Sequence, residues 1–149
     1  MASTTVISPP VYLVGKKIAC WRCGARMSVV SIIAEVPIEG HEAEIGLFSD
    51  ITDLPPEMVK FIQDKVPTFK KVYSKTKNSK YYGNTCPNCR VLSGDFHLHC
   101  EPGAPFFPTD EDEAKSLYLK EIPIRDEVSI DAGVGFGPGD LILTHAKRI

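Results

Sequence analysis

The sequence predicts an α+β protein in which β-hairpins carrying two Cys-x-x-Cys turns are separated by a large insertion and accompanied by two short helices. Three observations lead there. Runs of β-branched residues alternate with turn residues, the signature of short strands. Two segments place apolar residues at helical spacing behind capping residues. Four of the five cysteines fall into two pairs, Cys20/Cys23 and Cys86/Cys89.

At 149 residues, with 43% hydrophobic and 24% charged residues, the chain has the size and composition of one soluble globular domain. Residues 1–10 read as a flexible tail and residues 11–149 as a single domain. Val11–Val14 and Met27–Val36 are rich in β-branched residues and read as strands, with Cys20-Trp21-Arg22-Cys23-Gly24 in the turn between them. Ile45–Phe48 adds a short strand. A helix is expected from Pro55 to Lys65: Asp53 caps it, Pro55 and Pro56 suit its first turn, and Leu54, Met58, Phe61 and Ile62 line one face.

Val72–Lys75 and Tyr81–Thr85 are expected as strands around a polar turn, followed at once by Cys86-Pro87-Asn88-Cys89. Asp95–Cys100 alternates as a strand, with Phe96 and Leu98 opposite His97 and His99. Thr109 caps a second helix whose first turn holds Asp110, Glu111, Asp112 and Glu113. Two last strands, Glu127–Asp131 and Leu141–Thr144, flank a glycine-rich turn.

The cysteine spacing carries the chemistry. Thiolates at i and i+3 of a tight turn reach one ion together, and zinc takes four such ligands in a tetrahedron. Gly24 permits the left-handed backbone that turns amides toward the sulfurs, and Pro87 stiffens the second turn. Cys20, Cys23, Cys86 and Cys89 therefore predict one structural Zn2+ in a zinc-ribbon-type arrangement. The 62 residues between Cys23 and Cys86 form the large insertion, and closing so long a loop costs only logarithmically more entropy. With four thiolate ligands no position is left for water, which makes the site structural and not catalytic. A thioredoxin-like redox pair would need to open a helix in a βαβ unit, and neither pair does.

Other motifs fail on context. His97, His99 and Cys100 would serve as a replacement ligand, a second metal site or a Cys–His nucleophile only if they faced one another; the plainer expectation is a buried thiol and two strand histidines. His99-Cys100-Glu101 imitates the H-x-E of zinc deaminases, but the order relative to the C-x-x-C is reversed. The run Gly133–Gly139 lacks the Lys-Ser/Thr of a phosphate loop and contains Pro138. The protein is accordingly expected not to be an enzyme.

The formal charge of −2 is unevenly spread: seven lysines and one acid, Asp64, lie between Lys60 and Lys80. Lys70, Lys71, Lys75, Lys77 and Lys80 interleave with Phe69, Tyr73, Tyr81 and Tyr82, the pattern of a nucleic-acid contact through phosphates and stacked bases, although a pI near 6.1 is low for that role. No segment approaches the ~20 apolar residues of a membrane span, the first ten residues lack a secretory n-region, and paired cysteines without a leader point to a reducing, cytoplasmic setting.

The segments Tyr73–Thr76, Tyr81–Cys89, Gly94–His99 and Glu101–Pro108, with the upstream Cys20–Gly24, resemble a largely uncharacterised bacterial zinc-ribbon family over residues 11–108; residues 109–149 form an extension beyond it. The resemblance implies a zinc-binding domain found alone or attached to DNA-processing proteins. It also implies a protein-binding role as an immunity protein that inhibits a secreted antibacterial nuclease. Nucleic-acid binding through Lys60–Tyr82 is the alternative.

Overall fold

The computed structural model describes residues 3–149. The chain runs β1 (Ser3–Ala19), β2 (Arg26–Val36), β3 (Glu44–Asp53), α1 (Pro56–Lys65), β4 (Phe69–Ser74), β5 (Ser79–Thr85), β6 (Leu92–Ser93), α2 (Asp95–His99), α3 (Glu111–Lys115), β7 (Tyr118–Ile122), β8 (Val128–Gly135), α4 (Gly139–His145) and β9 (Lys147–Arg148). About 46% of the residues are strand and 18% helix, so the fold is dominated by β structure. This corrects the expected α+β zinc-ribbon architecture. The residues between the cysteine pairs are not an insertion on a ribbon; they supply β2, β3, α1, β4 and β5, the body of the molecule.

Four strands close a ring. β1 pairs antiparallel with β2, β2 with β3, β3 with β8, and β8 returns to β1. Closure is possible because β1 changes partner along one edge: Ser3–Ile7 pair with β8 and Val11–Gly15 with β7. Residues 3–10, expected as part of a loose tail, are thus strand, while Met1 and Ala2 lie outside the described residues. Pro9 and Pro10 sit at the register shift between Ser8 and Val11, where their missing N–H groups cost no ladder hydrogen bond. β3 changes partner similarly. Glu44–Phe48 pair with β2, and beyond Asp50, whose φ is +50°, Ile51 pairs with Tyr82 of β5.

Both faces of β2 are buried, which is why seven of its eleven residues are apolar, on both sides of the pleat. Val30, Ile32, Ala34 and Val36 point into the ring, among Ile7, Leu13, Phe48 and Ile130, and α1 adds Met58 and Ile62 to the same core. Met27, Val29 and Ile33 face a second core with Leu98, Phe106, Leu117, Leu119 and Ile142, and Cys20 and Cys86 belong to it. Between β2 and β5 the buried Asn84 substitutes for a strand pairing. Its Oδ1 accepts from the Val30 amide at 2.8 Å and its Nδ2 donates to the Val30 carbonyl at 3.1 Å.

Two expected strands are helices. In α2 the buried residues are Asp95 and Leu98, three apart, a helical spacing that period-two alternation over so short a run cannot be told from. In α4 the buried residues are Gly139 and Ile142 of the Leu-Ile-Leu run, again three apart, with Gly139 packed against Ile45. α1 lies where expected, but its cap position is Pro55 without a side-chain hydrogen bond, so Asp53 does not cap it. α3 is capped by Asp110 and not Thr109: the Asp110 carboxylate accepts from Glu113 N, and the Glu113 carboxylate accepts from Thr109 N at 2.7 Å.

Candidate metal centre

The two Cys-x-x-Cys turns close in the same way. In the first, between β1 and β2, Cys20 N donates to Ala25 O at 2.8 Å and Gly24 N to Cys20 O at 3.0 Å. In the second, between β5 and β6, Cys86 N donates to Val91 O at 3.0 Å and Arg90 N to Cys86 O at 3.0 Å. The residue after each second cysteine is left-handed, Gly24 at φ +77° and Arg90 at +66°. Each turn also aims an amide at its first sulfur: Arg22 N lies 3.4 Å from Cys20 Sγ, and Asn88 N lies 3.4 Å from Cys86 Sγ. Asn88 also donates its side-chain amide to Cys23 Sγ at 3.5 Å.

The turns meet face to face. All four sulfurs lie within 4.8 Å of one another, with Cys20–Cys89 and Cys23–Cys86 each at 3.6 Å. Tetrahedral ligation with Zn–S bonds of about 2.3 Å places sulfurs roughly 3.8 Å apart, whereas a disulfide needs about 2.05 Å. The set fits one tetrahedral metal ion, is compatible with one zinc, and is too open for a disulfide. Cys20 and Cys86 are anchored in the second core at 4% and 1% exposure, which fixes half the ligand set by packing.

Proton affinities diverge within the cluster. The Asn88 amide, with the Ala25 amide, draws Cys23 down to about 6. Cys89 goes up to about 11: the Val91 amide pulls it down, but burial and the neighbouring thiols Cys20, Cys23 and Cys86 outweigh that. Thiolates this close repel one another, and a cation among them would relieve that repulsion.

Other candidate residues are placed elsewhere. His97 and Cys100 are exposed on and just after α2, and the His99 ring packs on Phe106 with centroids 4.9 Å apart, burial lowering its pKa to about 4. None of the three joins the sulfur cluster. The lysines of the β4–β5 hairpin are divided by the strand pleat. Lys71 and Lys80 share a face with Tyr73 and Tyr82, while Lys70 lies opposite, and Lys77 is ion-paired to Asp50 at 2.7 Å.

Sequence reasoning missed a cleft beside the metal centre. The Trp21 indole N–H donates to Leu92 O at 3.1 Å, tying one knuckle to the strand after the other, yet the ring stays 68% exposed. It lines a cleft of about 670 Å³ together with Tyr81, Leu92, Asp95 and Phe96. Asp95 is buried, accepts from Asp50 N at 2.7 Å, and is pushed up to about 7, chiefly by desolvation. The only sequence signal was an acid directly after Gly94. Among the described residues no helix is long and apolar enough to cross a membrane. The chain matches no protein-family model, no characterised protein and no solved structure, so the bacterial zinc-ribbon resemblance has no family match behind it.

Proposed function

We propose that the protein is a non-catalytic binding module stabilised by one structural zinc ion held by Cys20, Cys23, Cys86 and Cys89. The observation that carries this reading is the complete four-sulfur set, which leaves no ligand position for a reacting water. Bound zinc acts as a cross-link between the β1–β2 and β5–β6 connections. The chain's own residues do the rest: backbone amides of Arg22 and Asn88 support the sulfurs, and the second core excludes water from Cys20 and Cys86. A reducing cytoplasm suits four free thiols.

The partner in this reading is a protein, and in its specific form a basic one such as a nuclease effector. Exposed acids, among them Glu111, Asp112 and Asp126, support that form; Asp110 and Glu113 do so less, because they are spent on capping α3. Nucleic-acid binding through the hairpin lysines is the weaker reading, since the pleat separates them and Lys77 is already paired. Elemental analysis is expected to give about one zinc per chain, and cobalt substitution the visible bands of a tetrahedral thiolate site. A folded chain without zinc, or turnover lost specifically on Cys100→Ala, refutes the proposal.

A further inference from the structure

The cleft beside the knuckles has an unusual lining for its size. At about 670 Å³ it is within the range of ligand pockets. Its walls are aromatic and exposed, Trp21 at 68% and Phe96 at 59%. Neither ring is loose: Trp21 is held by its hydrogen bond to Leu92 O, and Phe96 stands edge-on to His97 with centroids 5.6 Å apart. The same lining holds two groups taken out of water, the Asp95 carboxylate and the Tyr81 hydroxyl. The Tyr81 residue is 1% exposed and its hydroxyl has no hydrogen-bond partner.

When both are ionised, the carboxyl groups here outnumber the cations. Asp50 and Asp95 are joined by the hydrogen bond from Asp50 N, and the nearest cation is Lys77, whose Nζ pairs with Asp50 Oδ1 at 2.7 Å and lies 5.8 Å from the Tyr81 ring centroid. One lysine therefore serves two carboxyl groups. His97 is the remaining titratable group on the lining. Buried carboxyl groups are ordinarily paired, and burial here keeps Asp95 holding its proton up to about pH 7. A second cation would remove that cost. Aromatic faces attract cations, most strongly where water is excluded. An anionic ligand would meet Asp95 instead.

We propose that this cleft receives a cationic side chain, arginine or lysine, from a partner protein, with its charge toward Asp95 and its stem between Trp21 and Phe96. The assignment rests on the binding-module reading above and gives the partner's chemistry.

Trp21 is the sole tryptophan of the chain, so its fluorescence reports on the cleft. The zinc-loaded protein would be titrated with the acetylated, amidated peptide Ala-Leu-Arg-Leu-Ala, with the same peptide carrying neutral citrulline, and with a short single-stranded oligonucleotide. A saturable change is expected with the arginine peptide, at least about tenfold weaker with citrulline, a loss of about 1.4 kcal/mol. Asp95→Asn and the exposed Phe96→Ala are each expected to weaken binding by about tenfold or more, with zinc content unchanged. Equal affinity for citrulline, no saturable signal up to about 10 mM peptide, or saturable binding of the oligonucleotide alone overturns the assignment. Zinc is measured on the same samples, so a failed titration on a chain holding one zinc overturns the cleft assignment and leaves the structural-zinc reading standing.

Discussion

Asp95→Asn is expected to flatten the dependence of stability on pH. Asp95 is pushed from an ordinary 3.8 to about 7 in the folded protein, mainly by loss of water. A carboxyl group with a raised folded pKa binds its proton more tightly in the native state. Its contribution is therefore fully present below 3.8 and is lost as pH rises toward about 7 and beyond. For a single site with these two values, the loss between pH 6 and pH 8 is about 1.4 kcal/mol. Asparagine is nearly the same shape and its Oδ1 still accepts from Asp50 N, so the substitution removes the titration and keeps the hydrogen bond. Guanidinium unfolding of both zinc-saturated proteins at several pH values, followed by circular dichroism, gives the difference between their profiles. His99 has the opposite sign, since burial lowers it from 6.5 to about 4 and stability is lost as pH falls through that window. It is present in both proteins and cancels in the difference. Parallel profiles would refute the reasoning.

Cys86→Ser is expected to abolish stoichiometric metal binding and unfold the region around β5 and β6, because Cys86 belongs both to the four-sulfur cluster and to the second core; zinc content and thermal denaturation test this. Cys100→Ser, at an exposed thiol outside the cluster, is expected to leave both within error. Asn84→Ala removes two hydrogen bonds and leaves the buried Val30 amide and carbonyl unpaired, a cost of about 2–4 kcal/mol readable in denaturant midpoints. Gly24→Ala forces a side chain into a left-handed position and is expected to cost about 1 kcal/mol, whereas Arg90→Gly at the matching position is expected to stabilise by about 0.5–1 kcal/mol. Thermal denaturation of this pair checks whether the two knuckles are equivalent.

Features whose causes lie within a few residues were legible in the sequence. The cysteine cluster follows from two four-residue turns, α1 from its proline start and apolar face, and β2 from a run of eleven residues of which seven are apolar. What escaped depends on distant partners. Ser3–Ile7 begin with three polar residues and precede two prolines, and only pairing with β8, more than 120 residues away, makes them a strand. Asn84 reads as an ordinary strand residue until β2 lies beside it. The cleft is likewise invisible locally, since Trp21, Tyr81 and Asp95 meet only once the metal turns have docked. The helices α2 and α4 were misread for another reason: five to seven residues with a buried Leu or Ile satisfy both periods.

The seam between β1 and β8 governs when this protein can fold. Ser3 pairs with Ala132 and Ile7 with Val128, so the ring stays open until synthesis has passed residue 132. Local contacts cannot substitute, because the β3 edge that β8 also completes waits for the same segment. Such high contact order predicts slow, late folding. It also leaves the apolar faces of β1 and β2 exposed on a nascent chain, where the metal turn at Cys20–Cys23 is made early and its second half, at Cys86–Cys89, more than sixty residues later. Both cysteine pairs are synthesised before β8, so the four-sulfur cluster can assemble before the ring closes.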